Sequence, residues 1–374
     1  NFSMKYQVGA AQEQYVCQLV QMPTTPDGGQ VYTSGRSHQY NTGSHHYGLY
    51  RTTLDKLPAG AALNQPEDCW GPHDYMQYAT DFVILEQKST ADVEFPKGVS
   101  LPFKSGELMV MELHSINTSQ TPADVWVNAT LKTEPKSEVQ QEMALLQFYD
   151  PFIIVPPLSH AAAALRCAVP NDVTMIEANP HFHLRGVDHK SYIDLPNQPP
   201  STTPFMESTS WSDPPQWRGS MNIPGGSHVR FHCDYQNNDN FTYLQGPSKQ
   251  TNEMCSFWAY VYPAPADRNI IDCTGANDDQ FGVGDQTCTQ TLDCINACPP
   301  GEAPDLSIPG KFTVGPCYTQ CIVNSCPSAG TLVSAVGACV TKNCGSACPG
   351  DSCASCIQTN CAAEMSSCQS ATCN

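Results

Sequence analysis

The 374-residue chain carries a net charge of -18, with only 14% charged residues but 31 Pro and 25 Gly. The acidic balance excludes nucleic-acid and anionic-membrane partners, which need basic patches, and no apolar run approaches the roughly 18 residues of a membrane span. No signal peptide is visible, which sets the expectation of a mature, processed product.

The length suits two or three domains with substantial cores. Twenty Cys point to an oxidising compartment, so a secreted, periplasmic or cell-surface location is expected. Six of them lie before residue 280 and fourteen from Cys288 to Cys373. The first six are spaced like staples in an ordinary core; the last fourteen look like a disulfide scaffold.

In chain order, residues 1–155 read as short strands broken by turns. Tyr15–Val20, Asp81–Leu85, Leu108–His114 and Ala123–Thr130 are rich in β-formers, and Gly28-Gly29 and Pro58-Ala59-Gly60 punctuate them. No long helical period appears, so a β-sandwich is expected. The block holds Ser44-His45-His46 and, downstream, His114. Adjacent histidines in a regular strand point to opposite faces, so joint use of His45 and His46 demands a bulge or a turn.

Asp150–Pro157 reads as a proline-punctuated crossing into a second β-rich block, 156–284. That block carries His181-Phe182-His183, whose spacing sets two imidazoles on one face of a strand. It closes with Glu253-Met254-Cys255 and the apolar, aromatic run Ser256–Tyr262. His189, His228 and His232 read as structural or supporting residues, and His38 and His73 as surface-loop residues. Sequons occur at Asn1, Asn117, Asn128 and Asn240, of which Asn117 lies too near His114 for glycosylation to be expected.

In the tail, 285–374, Phe312 and Tyr318 are the only aromatics and neither Trp nor His occurs between Cys288 and Cys373. That is too little apolar surface for an ordinary core, and the Cys density marks a disulfide scaffold. Spacings such as Cys317-x3-Cys321 and Cys344-x3-Cys348 set cysteines one helical turn apart, predicting short stapled helices. Zinc fits poorly, with a single Cys-x-x-Cys (Cys353, Cys356) and no His. Connectivity does not follow from spacing. The tail is expected to bind a surface or protein partner, or to cap a sandwich, and its removal to leave the metal sites intact.

Over residues 10–275 an ordered series of motifs resembles the type II copper, ascorbate-dependent monooxygenases, the family of the peptidylglycine α-hydroxylating and dopamine β-hydroxylating enzymes. The series runs Tyr15-Val16-Cys17, Ser44-His45-His46, Glu112-Leu113-His114-Ser115-Ile116-Asn117, His181-Phe182-His183, His232-Cys233-Asp234-Tyr235 and Glu253-Met254-Cys255. The resemblance implies an all-β protein of two tandem antiparallel, jelly-roll-like sandwiches, here followed by the disulfide-rich, helical tail. It implies two copper ions, one held by His45, His46 and His114 for electron storage, the other by His181, His183 and Met254 for oxygen activation. Imidazoles hold copper in both oxidation states, and a thioether favours the reduced ion. Ascorbate would supply electrons, O2 the oxygen, and a small-molecule substrate the C–H bond to be hydroxylated. The family pattern also implies the pairs Cys17–Cys69, Cys167–Cys273 and Cys233–Cys255.

The chain departs from the peptide-amidating branch. The Arg that there holds the substrate carboxylate is Asn179 here, so a peptide C-terminus is not the expected substrate. Ser256, Trp258 and Tyr260 stand where that branch faces substrate, and Arg185 would have to reach in from beyond the motif. The alternatives are a non-catalytic copper-binding protein of the same fold, or a structural surface protein whose function lies in the tail.

Overall fold

The computed structural model describes residues 1–150, 152–246, 248–264, 284–299, 316–344 and 352–373. The described chain is mostly β, with a small disulfide-rich helical region at its C-terminal end. It forms two compact units. The first holds Asn1–Leu145; the second holds Leu146–Val261 together with most of the Cys-rich tail.

The strands divide into five sheets rather than the four that two sandwiches require. In the first unit, a six-stranded sheet runs Phe2–Val8, Ala123–Glu134, Gln30–Tyr40, Val99–Lys104, Gln141–Glu142, with Thr90–Glu94 also paired to Gln30–Tyr40. A five-stranded sheet runs Glu67–Asp68, Gln12–Gln21, Leu108–Asn117, Ser44–Thr52, Ala79–Glu86. Phe2–Val8 and Ala123–Glu134 contact the strands of this second sheet. Ala123–Glu134 buries Val125, Val127 and Ala129 and exposes Asp124 and Asn128, the alternation of a strand wet on one face. Leu108–Asn117 is buried almost throughout, because it sits centrally and is covered on both faces. Arg36 and Glu86, both buried, form an ion pair between the two sheets.

The second unit contains two four-stranded sheets and a short three-stranded one. In one, Cys255–Tyr262 lies between Ala144–Tyr149 and Val173–Phe182, with Trp217–Ile223 at the far edge. In the next, Ser227–Asn237 lies between Ser159–Val169 and Gly186–Asp194, and Met206–Ser208 completes it. The small sheet pairs Ile154–Val155, Tyr243–Gln245 and Asn252–Glu253. It accounts for the fifth sheet and carries the segment leading into Met254.

Among the described residues the tail forms five helices: Cys288–Asn296, Pro316–Val323, Pro327–Cys344, Cys353–Asn360 and Ala362–Ser370. Thr287 caps the first in a capping box with Gln290. Disulfides 288–368, 294–321, 298–317, 326–373, 339–361 and 344–356 join them. The tail does not rely on these bonds alone. Ile322, Ala329, Val333 and Val336 are buried in the same core as Phe148, Phe231 and Phe257. A segment too poor in apolar residues for its own core thus shares that of the second unit.

Cys17 is bonded to Cys69 and Cys233 to Cys255. Cys167 is disulfide-bonded; its expected partner, Cys273, lies outside the described residues. Among the described residues no cysteine is free, as an oxidising compartment requires, and no helix is long and apolar enough to cross a membrane.

Candidate metal centres

The first centre is a cross-strand row. On the central strand, His114 pairs directly with Tyr15 on one side and His46 on the other, and directly opposed residues share one face of a sheet. The ladder shifts register between Ser44 and His46. This bulge is the irregularity that adjacent His45 and His46 demand, because it lets both side chains turn to one site. The turn that precedes it passes through Gly43 at φ 99°, a conformation that favours glycine.

The three imidazoles converge, with one ligand nitrogen from each of His45, His46 and His114 lying within 4.8 Å of the others. His46 Nε2 and His114 Nδ1 are 3.0 Å apart, about the separation of two nitrogens each about 2 Å from one metal ion. His114 Nε2 lies 2.8 Å from Glu13 Oε1. A carboxylate only accepts, so Nε2 carries the proton and Nδ1 the lone pair. A carboxylate behind a ligating histidine is a recurrent support of metal sites. The donor set and its spacing fit a copper ion.

Glu112, two residues before His114, faces Gly48 and Cys17 across the sheet. Its Oε1 is 4.0 Å from His46 Nδ1, and its Oε2 accepts a 2.6 Å hydrogen bond from the Tyr50 hydroxyl. Burial pushes the Glu112 carboxyl up to about 7, against the opposing pull of the Tyr50 hydrogen bond. Tyr15 stacks on His114, with centroids 3.8 Å apart and planes 10° from parallel. Burial, with the Glu112 and Glu13 charges, holds its hydroxyl well above the usual phenol range.

In the second unit, His181 ends the buried strand Val173–Phe182, and His183 begins the turn that follows. Both are buried, and their rings meet edge to face at 5.2 Å. His183 Nδ1 is 3.3 Å from the Asn252 carbonyl. That contact assigns the proton to Nδ1 and the lone pair to Nε2. It also sets His183 beside the segment leading to Met254, whose own carbonyl accepts from the Tyr235 hydroxyl at 2.8 Å. The donor types, two imidazoles and one soft thioether, suit copper.

The residues expected to meet substrate are enclosed. Trp258 is buried and its ring lies 5.6 Å from His181. Tyr260 and Ser256 are buried in the same strand. Asn179 directs its amide to Glu177 Oε1 at 3.3 Å. Arg185 cannot stand in for an anchoring Arg, because its Nη1 and Nη2 donors serve the Lys249 and Gln250 carbonyls, the Tyr243 hydroxyl, Asp239 and Glu253. Its guanidinium also lies 3.5 Å over the Tyr243 ring. It clamps the loop before Met254. Burial pushes Glu253 up to about 7 while Arg185 pulls the other way.

The remaining histidines divide. His38 is not a surface-loop residue: it lies buried in the strand Gln30–Tyr40, its Nε2 2.7 Å from the Lys88 carbonyl. His73 is half-buried against Glu67 at 2.8 Å. His189 is a core residue between Phe182 and Phe231, and His232 pairs with Asp234 at 3.3 Å. Asn117 is buried, and its amide bonds the Gly9 and Thr121 carbonyls, which leaves no room for a glycan. Sequence reasoning missed Glu13. Its signal was the two-residue spacing from Tyr15, which sets both on the face of His114.

No protein-family model matches the chain, and no curated protein matches it. Among solved structures it is similar to the infectious bursal disease virus VP2 subviral particle, at 9% identity over 69% of this chain and 70% of that one, with a TM-score of 0.15. A structure of the Gt strain of the same virus gives 9% identity over 70% and 72%, with a TM-score of 0.12. A likeness this distant carries no argument about fold or function.

Proposed function

We propose that the protein is a secreted or cell-surface copper monooxygenase of the type II, ascorbate-dependent kind. The observation that carries this reading is the convergence of His45, His46 and His114 through a bulge placed where the adjacent histidines need one. Bound copper would supply electron storage at His45/His46/His114 and dioxygen chemistry at His181/His183/Met254.

The chain's own residues prepare both places. Glu13 fixes the proton of His114 on Nε2, and the Asn252 carbonyl fixes that of His183 on Nδ1. Trp258 covers His181 and excludes water from that side. Arg185, Glu253 and Tyr235 hold the backbone on either side of Met254.

A non-catalytic copper-binding protein is the second reading. It is favoured by Asn179 and Arg185, which are both engaged within the protein and leave no anchor for a substrate carboxylate. Anomalous diffraction at the copper edge, on copper-soaked, ascorbate-reduced crystals, tests the centres. Two peaks, one in each residue set, are the expected result, and peaks at other histidines would refute it. Ascorbate-driven oxygen uptake above that of free copper then separates the enzyme from the binding protein.

A further inference from the structure

The cross-strand row does not end at Tyr15. The Tyr15 carbonyl accepts from the Cys69 backbone N–H at 3.1 Å, and the Cys17–Cys69 disulfide fastens the two segments together. The next residue, Trp70, sets its ring edge to face on Tyr15 at 5.3 Å. Its backbone N–H is bound by Asp68 Oδ1 at 2.9 Å. Trp70 is 49% exposed, whereas His114 is 1% exposed. The structure therefore holds a continuous file of π systems, Trp70, Tyr15, His114 and His46, from solvent to the three-histidine centre.

Among the described residues the ring contact of this indole is with Tyr15. Half its surface meets water, and a smaller residue would leave the Cys17–Cys69 bond and the strand pairing in place. What an exposed indole does offer is a flat face on which a planar organic molecule can stack. Tunnelling falls off steeply across gaps, and van der Waals contact between aromatic rings leaves few gaps.

We propose that Trp70 and Tyr15 form the inlet through which a planar one-electron reductant, of the enediol or catechol class, delivers electrons to the His45/His46/His114 centre. The inference rests on the copper reading of that centre. In each event the donor would lose one electron and release its proton to water, and a copper ion held by the three histidines would pass from Cu(II) to Cu(I). Trp70 and Tyr15 are a conducting path and end the step in the oxidation state in which they began it.

The experiment uses the full chain loaded with Cu(II), and Trp70→Leu and Trp70→Phe variants. Copper content and the Cu(II) paramagnetic resonance spectrum are recorded first, then the rate at which ascorbate abolishes that spectrum in stopped flow without oxygen. The expected result is unchanged copper content and spectrum, reduction slowed roughly tenfold in Trp70→Leu, and most of the rate restored in Trp70→Phe. Copper loading should also quench a component of tryptophan emission that both variants lack. Equal reduction rates in all three proteins would overturn the inlet and send electrons directly to the half-buried edges of His45 and His46. Failure of the native chain to hold copper at these histidines would instead overturn the copper reading beneath it.

Discussion

Gly48 and Tyr50 are two residues apart on one strand, and a Cβ on Gly48 would stand 2.6 Å from the Tyr50 ring. The missing side chain is what lets the phenol lie along the strand and reach buried Glu112. Gly48→Ala should displace the ring, break that hydrogen bond and cost about 1–3 kcal/mol. Chemical denaturation measures it, and an unchanged midpoint would mean that the ring shifts without loss.

On the copper reading, the two centres should be separable. His46→Ala should lower bound copper from about two equivalents to about one, and His181→Ala should do the same at the other centre. Metal content and resonance spectra of both variants and of the double variant check this. Loss of both ions from one substitution would refute independent sites.

On the copper reading, Glu13 would act on the metal through His114. Its replacement in Glu13→Gln should weaken copper binding at the first centre about 10–100-fold, read by competition with a chelator, with the second centre unaffected. Unchanged affinity would reduce the carboxylate to a bystander.

Two buried groups give the second unit opposed pH dependences. Burial pushes Asp150 up to about 7, and the fold then keeps a proton that the unfolded chain has released. Its stabilising contribution is complete below about pH 4 and is lost as pH rises through 7, on the order of 4 kcal/mol. Burial pushes His189 down to about 4. Its contribution is complete above about pH 6.5 and is lost as pH falls through 4, on the order of 3 kcal/mol. Asp150→Asn should flatten the alkaline limb of the thermal midpoint and His189→Gln the acid limb. Because Glu253 also titrates near 7, Asp150→Asn should reduce the alkaline limb rather than abolish it. Identical pH profiles in all three proteins would contradict the assignment.

Removal of residues 284–374 should not be silent. It uncovers the core that Ile322, Val333 and Val336 help to fill, each worth about 1.5–3 kcal/mol of burial. The expected outcome is a lowered melting transition, increased binding of a hydrophobic dye and, against the expectation from sequence alone, copper lost from His181/His183/Met254 but kept at His45/His46/His114, because the tail shares the second unit's core. A truncated chain that keeps both ions and its melting transition would show the tail to be an appendage.

The sequence by itself determined the local elements and the inventory of donors. Turn residues and β-formers predict short strands, a period of two places His181 with the strand face of His183, and cysteine density predicts a stapled helical tail. It also posed the requirement at His45 and His46, since neighbouring side chains in a strand diverge. What it could not decide is pairing between distant strands. The register that sets Tyr15 and His46 on either side of His114 depends on which strands adjoin, and one residue of slip would turn every side chain to the other face. Glu13 joined the first centre by that register, and Trp70 through the Cys17–Cys69 bond that holds its segment against Tyr15. Tertiary structure likewise decided that Arg185 is a clamp and His38 a core residue. It also set the tail helices on the second unit's core, because a segment with too few apolar residues stays folded only where another surface supplies the rest.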